Sequence, residues 1–73
     1  MDDISIGKAV RELLTIKKIP KRILAAELDM AETGFYKRIN GIVPWRFSEV
    51  VKVIKFLDMT IDEFLELCIP DDM

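Results

Sequence analysis

KRILAAELDMAETGFYKRING, Lys21 to Gly41, carries two apolar stripes separated by a short break. Leu24, Ala25 and Leu28 recur at i, i+1 and i+4, the spacing of one buried helix face. Asp29-Met30-Ala31 interrupts the period, and Phe35 and Ile39 begin a second stripe at i, i+4. Asn40-Gly41 closes it with residues that tolerate the left-handed conformation found after helices. The reading is two short helices joined by a tight turn. Ala25 bears on how they meet, because a methyl-sized inward residue lets a second helix cross closely and steeply.

In this register the stretch resembles the phage-repressor type of helix-turn-helix, the group that contains lambda repressor and Cro-like regulators. The resemblance rests on small Ala25, apolar Met30 in the turn, apolar Phe35 and Ile39, and Asn40-Gly41. It runs without a gap to Ile61-Asp62-Glu63-Phe64, more than half the chain. Size and helix pattern also look like small temperate-phage switch proteins, including antirepressors that act by binding a repressor. The resemblance implies an all-α domain of five short helices, with the helix-turn-helix at about residues 20–40. It further implies transcription regulation in a phage-type lysis/lysogeny switch.

Composition sets the outer limits. Seventy-three residues make one domain, 1–73, with one small core. Half of the residues are apolar (51%), high for so small a chain, so part of that surface is expected to meet a partner. No run approaches the roughly 20 apolar residues that span a bilayer, and no signal peptide is read at the start. Lone Cys68 can form no internal disulfide and suits a reducing cytoplasm, here the host cell's. Histidine is missing, and with it the commonest general base and metal ligand. An enzyme is therefore not expected, nor any cofactor or metal.

Charge is divided unevenly. Residues 1–46 hold nine Lys/Arg and six Asp/Glu, a net +3; residues 47–73 hold two and seven, a net −5. A basic first part and an acidic tail suggest two differently employed surfaces.

Outside the central stretch, Ile6, Val10, Leu13 and Leu14 recur at helical spacing and predict a helix over Ile4–Lys17. Asp2-Asp3 stands at its start and Lys17-Lys18 at its end, each at the favourable pole of the dipole. Ile19-Pro20 makes a turn. Helices are then expected over Pro20–Leu28, Glu32–Ile39 and Arg46–Leu57, the last with Val50, Ile54 and Leu57 inward. A fifth helix opens on Thr60-Ile61-Asp62-Glu63, a capping box in which Thr60 and Glu63 satisfy each other's amides. Met59 and Phe64 are placed as a hydrophobic staple around it, and Pro70 stops the helix.

Candidate contacts follow from the resemblance. In lambda-like proteins the second helix of the motif lies in the major groove, its first residues at the base edges. Carried over by position, these are Glu32 and Thr33, with Tyr36 and Lys37 one turn on. Thr33 can meet a base or a thymine methyl, and Glu32 can accept from cytosine N4. Arg38 is expected to reach a phosphate or a base, Lys21 to lie beside the backbone, and Asn40 to donate to a phosphate. Two departures count against tight binding. Glu32 puts a carboxylate near phosphates where a neutral residue is expected, and Ala31 leaves the helix without a side-chain cap, at about 1 kcal/mol.

Two mechanisms therefore compete. One is a Cro-like repressor, with dimerisation supplying affinity for double-stranded DNA that a single copy lacks. The other is an antirepressor that docks on a partner repressor's DNA-binding domain and alters its operator binding. An acidic, apolar surface complements a basic DNA-reading face. Val43, Trp45, Phe47, Leu65 and Ile69 are the candidate protein interface, with Trp45 and Phe47 open between that role and plugging the core.

Overall fold

Most helix boundaries among the described residues fall where a specific backbone group is satisfied. The computed structural model describes residues 2–68, which form five α-helices and no strand. They are α1 (Asp3–Lys17), α2 (Lys21–Glu27), α3 (Glu32–Ile39), α4 (Phe47–Phe56) and α5 (Ile61–Cys68). Helix boundaries fall within two residues of those expected from periodicity; Pro70 and Ile69 lie outside the described residues.

The starts use side chains where the sequence supplies them. Asp2 accepts from the Ser5 amide at 2.7 Å and caps α1. Both halves of the box ahead of α5 form: the Thr60 amide donates to Glu63 Oε1 at 2.8 Å, and the Glu63 amide to Thr60 Oγ1 at 3.1 Å. Ala31 gives α3 no side-chain cap. Thr60→Ala should therefore lower stability by about 1 kcal/mol through loss of that acceptor. Thermal unfolding identical to that of the parent chain would mean the hydroxyl contributes nothing there.

The ends share one device. After α1, α2, α3 and α4 the chain turns through a left-handed residue: Lys18 (φ 57°), Asp29 (φ 60°), Gly41 (φ 77°) and Asp58 (φ 54°). Each turn sends the next amide back to a carbonyl in the last helical turn. Examples are Ile19 to Leu14 at 2.9 Å and Ile42 to Lys37 at 2.8 Å, the six-to-one bond of a Schellman motif. Only one of the four positions is glycine; at the other three the turn holds a side chain in a region most residues avoid.

The core is a single cluster drawn from all five helices. α1 contributes Val10 and Leu14, α2 Leu24 and Ala25, α3 Phe35 and Ile39, α4 Val53 and Ile54, and α5 Phe64 and Cys68. Met30 and Met59 pack against it from the turns. α1 lies against α3 and α5, and α2 against α3 and α4. Burial raises the Cys68 thiol above its ordinary pKa, which keeps it in the unreactive protonated form. No helix among the described residues is long and apolar enough to cross a membrane.

One close approach organises the packing. A Cβ on Gly7 would lie 2.3 Å from the Ile39 carbonyl oxygen, so α1 meets the end of α3 with no room for a side chain.

Candidate functional site

With Phe35 and Ile39 buried, the helical period turns the opposite side of α3 outward. Glu32, Thr33, Tyr36 and Lys37 are all exposed there. They lie at i, i+1, i+4 and i+5, one continuous strip on a rigid helix. From α2, the ammonium of Lys21 sits 5.5 Å from the centre of the Tyr36 ring. That distance suits a cation–π contact, so Lys21 supports the ring while keeping its charge at the edge of the strip.

Arg38 differs from the expectation of a phosphate or base contact. Its Nε donates to Glu49 Oε1 at 2.9 Å and its Nη1 to the Gly34 carbonyl at 3.0 Å, with both side chains largely covered. The guanidinium ties α3 to α4 instead of extending outward. Asn40 is engaged on one side only. Its Oδ1 accepts from Arg11 Nη2 at 2.8 Å, which leaves its amide hydrogens to donate elsewhere.

Glu49 does two jobs at once, since the Arg46 amide also donates to its Oε1, at 2.9 Å. Burial by itself would raise this carboxyl's pKa; the bonds from Arg38 and Arg46 to the ionised form outweigh it and hold it below the ordinary value. A depressed folded-state pKa stabilises the fold above the unfolded value near 4.5 and loses that stabilisation as pH falls through the folded value. Glu49→Gln should accordingly flatten the acid limb of stability measured by urea unfolding. Parallel acid limbs for the two proteins would show that Glu49 titrates alike in the folded and unfolded chain.

The candidate protein interface separates into different environments. Trp45 is core: only 8% exposed, it stands edge-on to Phe35 at 6.3 Å and 87°. Of the two roles open for Trp45, plugging the core is the one it takes. Its backbone amide donates to Asp3 Oδ1 at 2.9 Å, pinning the α3–α4 loop to the start of α1, and its indole Nε1 is buried without a partner. Phe47 is the opposite case, 76% exposed at the first position of α4. Val43 and Leu65 are half-buried.

Phe47 stands at the mouth of an apolar groove of about 230 Å³. Ile6, Trp45, Val50 and Phe64 line it from α1, the loop, α4 and α5. Phe47, Ile61 and Leu65 complete its walls. No group of His, Cys, Asp and Glu among the described residues is arranged to hold a metal.

Several of these ties escape sequence reading. Asp3 is a plain helix-start carboxylate until the loop folds back upon it. Glu49 follows Arg46 by three residues, but arginine is no capping residue, so the pattern raises no signal. Compared with protein-family models, curated proteins and solved structures, the chain matches none.

Proposed function

We propose that the α2–turn–α3 pair is a helix-turn-helix of the phage-repressor type and that the protein regulates transcription in a phage-type genetic switch as an antirepressor. On this reading it is a binding module of the host cytoplasm, without catalytic activity. The exposed strip of α3 docks on the basic DNA-reading face of a partner repressor. The observation that carries the choice of partner is the engagement of Arg38 by Glu49. With that guanidinium withdrawn, the strip offers the Glu32 carboxylate, two neutral side chains and only Lys21 and Lys37 as cations. DNA affinity scales with the number of phosphates neutralised, and two cations neutralise few. A carboxylate on a rigid helix suits an Arg or Lys of another protein better.

Direct binding of double-stranded DNA, in the manner of a Cro-like repressor, is the second reading. The exposure of Thr33, Tyr36 and Lys37 on a single helix face favours it, because those types read bases and touch phosphates.

Glu32 separates the two. Near phosphates its charge repels, so Glu32→Gln should leave DNA binding unchanged or strengthen it, except where Glu32 reads a cytosine. Against a repressor the same change removes a charge-assisted hydrogen bond and should weaken binding by about 2 kcal/mol if the pair is buried. The experiment titrates both proteins with duplex DNA from the switch region and with the purified repressor. Submicromolar DNA binding without measurable repressor binding would overturn the antirepressor reading.

A further inference from the structure

Trp45 forms part of the wall of the apolar groove, beside Ile6, Phe47 and Ile61. Among the described residues, the only buried side-chain nitrogen or oxygen without a partner is Nε1 of this same Trp45, and it is shut off from solvent as well. An indole N–H can only donate, so a buried one with no acceptor forfeits a hydrogen bond that water would otherwise supply. Small-molecule sites combine an apolar lining with a few such polar groups. Size and charge narrow the occupant further. An apolar cavity of about 150 Å³ accepts benzene, so a groove of about 230 Å³ has room for roughly nine heavy atoms. Carboxylates border it on two sides: Asp3 accepts from the Trp45 amide at 2.9 Å, and helical spacing sets Asp62 and Glu66 just outside Ile61 and Leu65. Anions are repelled there, and a cationic group offers Nε1 no acceptor.

We propose that this groove binds a small neutral molecule, an apolar body of that size bearing one carbonyl or ether oxygen that accepts from Trp45 Nε1. The ring of Phe47, at 76% the most exposed of the lining side chains, moves aside to admit it. The bound molecule then touches the ring that stands edge-on to Phe35, the residue that seats α3. The site is independent of whatever the strip of α3 binds.

The chain has a single tryptophan, so one indole N–H signal in its nuclear magnetic resonance spectrum reports the donor directly. Acetylcyclohexane, a neutral ketone of the right size, should move that signal downfield and saturate at about 1 mM, the range for ligands so small. Methyl signals of Ile61 and Leu65 should titrate in step. Cyclohexanecarboxylate, similar in size but anionic, should bind at least roughly tenfold more weakly near neutral pH. Ile61→Phe narrows the groove from its rim and leaves Trp45 in place, so it should abolish the shift without lowering the urea midpoint. Trp45→Phe should weaken ketone binding roughly tenfold, read from the same methyl signals, through loss of the donor. No saturable shift up to about 10 mM ketone overturns the proposal. So does methyl titration with an unmoved indole signal, a shift that survives Ile61→Phe, or carboxylate binding equal to the ketone's. An indole signal that moves when the protein alone is concentrated overturns it too, since a second copy of the chain then covers the groove.

Discussion

Gly7→Ala should destabilise this protein by about 3 kcal/mol, although alanine is the better helix former. Two effects of opposite sign meet at this position. In the interior of α1 a glycine costs roughly 1 kcal/mol relative to alanine, so in isolation the substitution would strengthen the helix. In the folded chain the added methyl would lie 2.3 Å from the Ile39 carbonyl oxygen and 2.8 Å from its carbon. That obstacle is backbone, at the last residue of α3, and it cannot rotate aside. α1 and α3 must separate, which reopens the packing of Val10, Phe35 and Ile39 behind it. Overpacking usually costs 1–3 kcal/mol, and an immovable neighbour places this case near about 4, which outweighs the gain in propensity. The urea midpoint measures the difference. A variant as stable as the parent would contradict so close a crossing of α1 and the end of α3.

That contact marks where sequence reading stops. Periodicity placed Phe35 and Ile39 inward because three-to-four spacing is a property of one helix alone. The box at Thr60 and Glu63 was legible for the same reason, since both partners lie within one turn. Gly7 gives no such sign: a glycine inside a helix signals weakness unless the helix crossing it is known. Its place on α3 alone points Arg38 outward, and only the approach of α4 supplies Glu49 to turn it inward. Sequence leaves Trp45 open between core and surface because a loop residue has no period, and its position depends on Asp3, far away in sequence. Lys18, Asp29 and Asp58 occupy left-handed turns where glycine would be the usual marker, so the sequence does not announce how those helices end. On the strip of α3, exposure of Glu32, Thr33, Tyr36 and Lys37 followed from the burial of Phe35 and Ile39.

Phe35→Ala should have the largest effect of all, about 4 kcal/mol. The ring is 0% exposed and stands edge-on to Trp45, so truncation leaves a cavity and removes an aromatic pair together. Collapse around the cavity is restricted on both sides. Asp3 fixes the Trp45 backbone, and the Gly7 crossing fixes the end of α3. A chain of 73 residues has a total stability of roughly 4–11 kcal/mol, so the variant should be largely unfolded at 37 °C if the parent lies near the lower bound. Phe35→Leu keeps most of the volume and should cost about 1.5 kcal/mol, which leaves the fold intact. Trp45, the single tryptophan of the sequence, reports both outcomes. Its emission should move to the red in Phe35→Ala under native conditions and stay near the parent's in Phe35→Leu. Under the proposed function, binding should follow the same order, because Phe35 seats the helix that presents Glu32, Thr33, Tyr36 and Lys37. Loss of binding in Phe35→Ala with unchanged emission and an unchanged urea midpoint would contradict this account, since it would make Phe35 a contact residue and not the anchor of α3.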